Sequence, residues 1–392
     1  MIFSNININK NKLEEFVRVL LNEEYDILSE NSDEDIIIEV VENSENIKVK
    51  TKLVERTTNQ TIREIEFNFE KINEKYFDQS EVMAKTSLLK LFNKEKDYKW
   101  GALIGVRPTK IVRRFLNMNL SYEKIAEILE NVYFVSKEKI NLLLEISKRQ
   151  KKYLDKETIG IYISVAFCPT KCTYCSFPAY LINGKYKERY NEYITSLFTK
   201  DLNLKINTIY IGGGTPSILS EYEIENLLET IVKNYNLDFL KEFTFEAGRI
   251  DTLNREKLQI IKNKGVNRVS INPQTFNEKT LRKVNRYHNK EQFDDVYNIS
   301  KELGLEINMD LILGLPEETT EDILYTMNKI SNYDVENLTI HNLAIKNSSK
   351  LNKENYKHEN ILDYEKIFKK IDKITKEKRL SPYYIYRQKN SF

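Results

Sequence analysis

The chain has 392 residues, of which 41% are apolar and 31% are charged, and its formal net charge is +2. This length allows more than one domain with a hydrophobic core. The near-neutral charge gives no electrostatic indication of nucleic-acid binding, and no apolar stretch approaches the ~20 residues that a membrane span requires. Because the first residues lack the apolar core of a secretory signal, we predict a cytoplasmic protein.

Residues 1–155 are predicted to form a small α+β domain. Three runs alternate apolar and polar residues, as strands with one wet face do: EDIIIEVVE, NIKVKTKLVER and TIREIEFNF. Helical periodicity is found near 10–22, 79–96, 108–117, 121–131 and 136–150. The segment WGALIGVRPTK (100–110) contains two glycines and a proline, and it therefore predicts a loop or turn.

Residues 156–345 are predicted to form an α/β domain. Strand candidates occupy 161–167, 208–212, 243–247, 268–272, 305–312 and 337–343, and helix candidates lie between them near 187–199, 221–234, 254–263, 291–303 and 320–331. Alternating β and α elements imply a parallel sheet with right-handed crossovers. We predict a partial, open (β/α)6 TIM-like barrel, with a doubly wound open sheet as the alternative. Residues 346–392 are predicted to begin a helical C-terminal region.

The three cysteines of the chain, Cys168, Cys172 and Cys175, lie together in the run FCPTKCTYCSF. An odd number of cysteines in such short loops excludes a disulfide framework and favours a reduced metal site that lacks one ligand. A 4Fe-4S cluster held by three thiolates leaves one iron open for a substrate or cofactor. The alternative is a zinc knuckle with a distant or water ligand, since the nearest histidine, His288, lies far downstream.

Polar or unusual residues follow each predicted strand of this second region. The cysteine loop follows the first strand and GGGTPS (212–217) the second. The residues at the other four strands are Glu246, Gln274, Asp310, His341 and Ala344. Because active sites of parallel βα folds gather at the carboxyl ends of the strands, we predict that these residues form one site.

Each of these residues also has a structural interpretation. The glycines allow the backbone to approach a ligand, or they form only a tight turn. Glu246 and Asp310 bind an amine or a sugar hydroxyl, or they form buried salt bridges with Arg249, Arg268 or Arg286. Arg286 grips a carboxylate or is an exposed surface residue. His288 and His341 are acids or bases, or hydrogen-bonded structural residues, and Tyr162 and Tyr174 shield a cofactor or simply fill the core.

The cysteine trio resembles the signature of the radical S-adenosylmethionine (SAM) superfamily, which has an aromatic residue before the last cysteine. Within it, the chain resembles the oxygen-independent coproporphyrinogen III dehydrogenases. The runs that carry this resemblance are FCPTKCTYCSF, IGGGTPS, SINPQTFNEKTLRKVNRYH and NMDLILGLPEET. WGALIGVRPTK and SPYYIYRQKN (381–390) are similar to the Firmicutes-type branch of that family. The implied fold is the partial barrel of the radical SAM type, preceded by the α+β domain.

The resemblance implies a 4Fe-4S cluster on Cys168, Cys172 and Cys175, with SAM bound to the open iron. One-electron reduction then cleaves SAM, and the resulting 5′-deoxyadenosyl radical removes hydrogen from a propionate of coproporphyrinogen III. Loss of carbon dioxide and an electron leaves a vinyl group, and two rounds give protoporphyrinogen IX in haem synthesis. The implied partners are this substrate and an electron donor such as flavodoxin or ferredoxin, with no nucleic acid and no membrane span.

The family pattern also implies residue roles. Tyr162 is the expected catalytic residue, and it is expected to contact SAM together with Gly213 and Glu246. The rest of the SAM region, which in some members holds a second SAM, is expected to be lined by Tyr174, Gly214, Thr215, Gln274, Arg286, Asp310 and Ala344. Arg249, Arg282 and Lys283 are candidates for contacts with the substrate carboxylates.

Two features depart from the best-known members of the family. Phe177 stands where those members carry a fourth cysteine, and this Ser-Phe version also occurs in related haem chaperones that bind haem without dehydrogenase activity. Family members continue beyond the YRQK stretch, so we expect this chain to lack the C-terminal part. The competing functions are therefore a haem chaperone, which usually lacks the WGALIGVRPTK region, and a radical-SAM RNA-modifying enzyme, which requires a basic face.

Overall fold

The chain forms two compact units, Met1–Tyr153 with Pro382–Arg387 and Leu154–Ser381 with Gln388–Phe392. Each unit has its own hydrophobic core. The residues that this computed structural model describes are 2–6, 13–14, 16–17, 33–74, 77–92, 98–103, 107–154, 157–182, 190, 192, 194, 204–357 and 360–386.

The first unit is an α+β arrangement built on a four-stranded sheet. Its strands lie in chain order: β1 (Ile2–Ser4), β2 (Glu34–Glu42), β3 (Asn46–Glu55) and β4 (Thr61–Glu70). β1 pairs in parallel with β2, and the other neighbours are antiparallel. The alternation of β2 buries Ile36, Ile38 and Val40. The helices that pack on this core include α1 (Gln79–Leu91), α2 (Thr109–Asn117), α3 (Tyr122–Asn131) and α4 (Lys137–Lys151).

The second unit contains a six-stranded parallel sheet and a short two-stranded one. Its strands are β5 (Ile159–Val165), β6 (Phe167–Cys168), β7 (Tyr180–Leu181), β8 (Ile206–Gly213), β9 (Glu242–Phe245), β10 (Arg268–Ser270), β11 (Glu306–Leu313) and β12 (Asn337–Asn342). The large sheet has the order β5-β8-β9-β10-β11-β12, and β6 pairs with β7. Sequential parallel strands with open edges make a partial barrel, so the predicted fold class is confirmed. The doubly wound alternative is wrong, because such sheets reverse their strand order.

Helices lie between successive strands of the large sheet from β8 onward, and two further helices follow its last strand, β12. They are α5 (Glu221–Asn234), α6 (Arg255–Asn263), α7 (Glu278–Lys283), α8 (Lys290–Glu302), α9 (Thr320–Ile330), α10 (Lys350–Lys353) and α11 (Tyr364–Glu377). Capping boxes begin α5, α8 and α9, which explains why these helices start close to the predicted positions.

The two faces of the large sheet differ in chemistry, because successive side chains of a strand point to opposite faces. One face packs against the helices and carries Ile209, Ile211, Phe243, Phe245, Val269, Ile307, Met309 and Leu311. The other carries Thr208, Tyr210, Thr244, Glu246, Ser270, Asn308 and Asp310, which we call the polar face. A ligand that enters the partial barrel therefore meets hydroxyl, amide and carboxyl groups.

The structure differs from the prediction mainly in its short elements. β1, β6, β7 and α7 were not predicted, since elements of six residues or fewer give little periodic signal. The predicted helices at 10–22 and 187–199 lie largely outside the described residues. The division at 155/156 and 345/346 stays a prediction, and the structure groups residues 346–381 with the large sheet. Among the described residues, no helix is both long enough and apolar enough to cross a bilayer.

Candidate active site

The three cysteines lie in one loop at the carboxyl end of β5. Cys168 ends β6, and the amide of Cys175 donates to the carbonyl of Cys172 at 3.1 Å in a tight turn. The hydroxyl of Thr215 donates to Cys168 Sγ at 3.5 Å, and the amide of Phe177 donates to Cys175 Sγ at 3.4 Å. All three thiols are partly exposed. Burial raises the pKa of the Cys168 and Cys175 thiols, so a bound metal must displace their protons.

Arg249 connects the cysteine loop to its neighbours. It is 4% exposed, and its Nε and Nη2 donate to the two carboxylate oxygens of Asp251 at 2.9 and 2.6 Å. Its Nη1 donates to Thr170 Oγ1 at 2.7 Å and to the carbonyl of Asn285 at 3.4 Å, and it lies 3.9 Å from Cys172 Sγ. Arg249 therefore connects the cysteine loop to Asp251 and Asn285. These contacts differ from the contact with a substrate carboxylate that was expected of it.

The three glycines at the end of β8 lie where a side chain would not fit. A Cβ on Gly212 would come within 2.5 Å of Glu246 Oε2, and one on Gly213, whose φ is +107°, within 2.5 Å of Ser164 Oγ. A Cβ on Gly214 would overlap the backbone of Phe167 next to the first cysteine. The amide of Gly214 donates to the carbonyl of Val165 at 2.7 Å, which fixes this segment against β5. Close approach of backbones therefore requires glycine here.

Aromatic and acidic side chains meet on the polar face. The rings of Tyr162 and Tyr210 stack with centroids 5.8 Å apart, and Tyr162 is 54% exposed. Glu246 lies beside Tyr210 and the backbone of Gly213, both of which hydrogen-bond to it. Burial, with the neighbouring Asp310, raises the pKa of Glu246 to about 7. This carboxyl group therefore changes charge near neutral pH.

Asp310 lies on β11 and, like Glu246, on the polar face. Asn308 Nδ2 donates to its Oδ1 at 3.0 Å, and His341 Nε2 is 3.9 Å from its Oδ2. The predicted alternative for Asp310 and Glu246 was a salt bridge with an arginine. Arg268, however, pairs with Glu242 and Glu306, each at 2.8 Å. Arg268 therefore binds carboxylates at the amino ends of β9 and β11.

Arg286 is a buried residue, 5% exposed, rather than the surface residue of the alternative interpretation. Its Nη2 donates to the carbonyls of Gly248 and Asn272 at 2.6 and 2.7 Å, and its Nη1 lies 3.4 Å from the Tyr174 hydroxyl. Burial raises the pKa of Tyr174, so this phenol stays protonated. Arg286 Nε and Asn272 Oδ1 are buried without a hydrogen-bond partner among the described residues.

Gln274 and Ala344 complete the predicted set. Gln274 is buried with φ +65°, and its backbone bonds to Asp310 and Ile312 of β11, each at 3.0 Å. Its Oε1 is another buried atom without a partner among the described residues. Ala344 is buried two residues after β12. The strained backbone conformation of Gln274 places its backbone amide in hydrogen-bonding distance of the Asp310 carbonyl.

His288 is buried, and desolvation together with Arg286 lowers its pKa to about 3. Its imidazole is therefore neutral at physiological pH, and this favours the structural interpretation over an acid role.

Residues 162–330 match the family described as the Radical SAM superfamily. The chain carries a radical SAM domain. This result confirms the resemblance that the cysteine trio indicates, and the cofactors of such domains are a 4Fe-4S cluster and SAM.

Curated relatives are similar to this chain over different lengths. "Oxygen-independent coproporphyrinogen-III oxidase-like protein HemZ" of Bacillus subtilis is 37% identical over 310 residues, covering 74% of this chain and 62% of that protein. "Heme chaperone HemW" of Lactococcus lactis is 36% identical over 185 residues, covering 47% of this chain and 48% of that protein. The chain therefore spans less than two thirds of either relative.

A solved structure titled "Coproporphyrinogen III oxidase (HemN) from Escherichia coli is a Radical SAM enzyme" is similar in fold. It is 22% identical, has a TM-score of 0.50, and covers 59% of this chain and 56% of that one. At this identity the likeness supports the fold alone.

The side chains of the site fit the cofactors of a radical SAM domain. Three partly exposed thiols share one loop, glycines leave room beside Glu246, and the partnerless atoms of Asn272, Gln274 and Arg286 match a polar ligand. Among the described residues, no three His, Cys, Asp or Glu side chains converge on a position where they could hold a single metal ion. Cysteines of an iron–sulfur cluster bind different irons and need not converge in this way.

Sequence reasoning missed several residues of this site. Tyr210 stands two positions before Gly212 on the same strand, so strand alternation places both residues on one face. This alternation could have identified Tyr210 as a residue of the site. Asn272 gave no such signal, because nothing in its sequence context distinguishes a buried polar residue from one on an exposed loop.

Proposed function

We propose that this chain is an oxygen-independent coproporphyrinogen III dehydrogenase. It would convert two propionates of coproporphyrinogen III to vinyl groups, releasing carbon dioxide and giving protoporphyrinogen IX in haem synthesis. The observation that carries the proposal is the 310-residue match to the oxidase-like relative, which extends well beyond the radical SAM domain at 162–330. The match to the haem chaperone spans 185 residues.

When bound, the cluster and SAM supply one-electron chemistry that removes a hydrogen atom from an unreactive carbon. Cys168, Cys172 and Cys175 would hold the cluster. The guanidinium group of Arg286 is fixed by two backbone carbonyls, so it is preorganised to bind a carboxylate. Glu246 and Asp310 would accept hydrogen bonds from an amine or from ribose hydroxyls.

The remaining residues of the proposed site orient the ligands and limit access of water. Tyr162 and Tyr210 form a stacked aromatic wall beside Glu246. We propose Tyr162 as the catalytic residue of this wall, because its ring lies on the polar face and is half exposed. Gly213, Gly214, Thr215, Tyr174, Gln274 and Ala344 would shape the rest of the SAM region.

A haem chaperone is the second candidate function. The observation that favours it is Phe177 after the last cysteine, together with chaperone relatives whose matches cover 47% of this chain. The two functions differ in one measurable respect, since only the dehydrogenase changes the tetrapyrrole.

The test is anaerobic reconstitution with iron and sulfide, followed by reductant, SAM and coproporphyrinogen III. Mass spectrometry follows 5′-deoxyadenosine and the tetrapyrrole together. We expect both deoxyadenosine and protoporphyrinogen from the wild type and neither from Cys172→Ala, whose fold is checked by circular dichroism. Deoxyadenosine without decarboxylation, combined with stoichiometric haem binding, would support the chaperone instead.

A further inference from the structure

Two other segments of the second unit are hydrogen-bonded to the cysteine loop. The amide of Thr173 donates to the carbonyl of Val284 at 3.4 Å, which connects the loop to the end of α7. The amide of Leu351 donates to the carbonyl of Thr173 at 3.1 Å, which connects it to α10. Residues 169–178, 277–287 and 345–357 therefore form one surface around the cysteines, which we call the basic surface.

The basic surface is strongly cationic, although the whole chain is nearly neutral at +2. Its basic residues, apart from the buried Arg286, are Lys171, Lys279, Arg282, Lys283, Lys346, Lys350, Lys353 and Lys357, and its acidic residues are Glu278 and Glu354. Glu278 pairs with Arg282 and Glu354 with Lys350, each at 3.4 Å, and Glu317 of the next loop pairs with Lys283.

The exposed lysines of this surface include Lys171, Lys279, Lys346 and Lys353. Within the described parts of the chain, none of the four forms an ion pair with a carboxylate. Their positive charge is therefore available to a partner, and Lys171 directly precedes Cys172 in the cysteine loop.

We propose that the basic surface is the docking site of an acidic protein that donates single electrons. The inference rests on the proposed function, because each hydrogen abstraction requires one electron from outside the chain. One electron passes from the reduced centre of the donor to the oxidised cluster, and no bond of this chain is formed or broken. Thr173 lies between Cys172 and Cys175, so a protein seated on α7 and α10 approaches the cluster ligands directly.

Charge and exposure favour a protein over the carboxylates of the substrate. Small carboxylates are best held by buried, preorganised guanidinium groups, as at Arg286, whereas an exposed lysine is a hydrated point charge on a flexible stem. Spread-out exposed charges steer the encounter of two proteins and raise their association rate. Electron-transfer complexes are small and weak, so a few such charges suffice to orient the donor.

The test compares two triple variants of the full-length, reconstituted protein. Lys279→Gln, Lys346→Gln and Lys353→Gln remove charge from the basic surface. Lys369→Gln, Lys373→Gln and Lys376→Gln remove the same charge from α11, whose C-terminal end bonds to Ser331 and Tyr333. The probe is a reduced, acidic ferredoxin. Its affinity is measured by surface plasmon resonance, and cluster reduction by stopped-flow absorbance.

We expect the basic-surface variant to be reduced about tenfold more slowly at low salt, whereas the α11 variant matches the wild type. At about 1 M salt, where the Debye length is ~3 Å, all three should converge. Reduction by methyl viologen, a small cationic reductant, should not slow in either variant, which excludes damage to the cluster.

Equal ferredoxin affinity and reduction rate in the wild type and the basic-surface variant would overturn the proposal. So would a variant that retains ferredoxin binding but loses affinity for coproporphyrinogen III, since the lysines would then serve the substrate. Failure of the proposed function is distinguishable, because ferredoxin binding and cluster reduction need no tetrapyrrole. Charge-dependent reduction without protoporphyrinogen would refute only the dehydrogenase.

Discussion

Glu318 is a buried carboxyl group on the loop after β11, with 1% of its surface exposed. The hydroxyl of Thr275 donates to its Oε1 at 2.6 Å, and its Oε2 has no hydrogen-bond partner among the described residues. Burial raises its pKa to about 7. The side chain is therefore largely protonated below neutral pH. Its hydrogen-bond partner Thr275 directly follows Gln274 of the candidate site.

This raised pKa predicts a loss of stability at alkaline pH. Because the folded state binds the proton more tightly than the unfolded state, the stability that Glu318 contributes is complete below its unfolded pKa. It is lost as the pH rises through about 7. A shift of this size corresponds to about 3 kcal/mol. We expect Glu318→Gln to unfold at the same temperature as the wild type at pH 5 and at a higher temperature at pH 8.

Differential scanning calorimetry at the two pH values checks this expectation. Glu256→Gln, at an exposed position on α6, controls for the change in net charge. If the melting temperatures of Glu318→Gln and the wild type differ by the same amount at both pH values, Glu318 does not titrate as proposed.

Glu246 predicts a pH dependence of cofactor binding. Burial and Asp310 raise its pKa to about 7, so the carboxylate form, which binds an amine more strongly, prevails above that pH. We expect the affinity of the reconstituted protein for SAM to rise about tenfold between pH 6 and pH 8. Glu246→Gln should bind SAM weakly with little pH dependence. Titration calorimetry measures both, and a wild-type affinity that is constant over this range would contradict the role of Glu246.

Single residues were predictable where their chemistry is rare in the sequence. Three clustered cysteines and a run of three glycines stand out, and strand ends explain why Glu246 and Asp310 lie near them. The hydrogen bonds of Arg249 to three separate segments were not predictable, because they require Asp251, Thr170 and Asn285 to lie close together in the folded chain. Loop contacts of this kind leave no periodic pattern.

At the scale of elements, the junction of β8 with the cysteine loop leaves no room for added volume. A Cβ on Gly214 would overlap the backbone of Phe167, which the chain cannot move without displacing Cys168. We expect Gly214→Ala to lose most of its cluster iron after reconstitution and to be destabilised by about 1–3 kcal/mol. Iron analysis and thermal unfolding measure the two effects.

Gly265→Ala is the matched control for this glycine. Gly265 has φ +88° and open space around its Cβ position, so alanine there adds backbone strain but no overlap. We expect a loss of about 1–2 kcal/mol with normal iron content. Equal iron content in both variants would show that the loop tolerates displacement.

The order of the elements was predictable because Ile-rich and Val-rich strands alternate with capped amphipathic helices. Ser220, Asn289 and Thr319 each begin a helix with a reciprocal capping box, and such signals are local in sequence. β6 and β7 escaped prediction, since a two-residue pairing depends on how the loop around Cys168 folds back. The candidate site is built largely from such non-local loop contacts.

At the scale of the whole molecule, the two units have separate hydrophobic cores. Phe115 belongs to the core of the first unit and Phe243 to the core of the second, and both are buried. Chains with more than one domain commonly depart from two-state unfolding. We therefore expect two calorimetric transitions in the apoprotein, each of which depends on one core.

Matched substitutions assign these transitions. Phe115→Leu and Phe243→Leu each leave a small cavity that costs about 1–3 kcal/mol. For units of this size, each kcal/mol lowers the melting temperature by about 2–4 °C. We expect Phe115→Leu to shift one transition and Phe243→Leu the other. Reconstitution with iron and sulfide should raise only the transition that Phe243→Leu lowers, because ligand binding stabilises the unit that holds the cysteines. A single transition that both variants lower equally would show that the two cores unfold together.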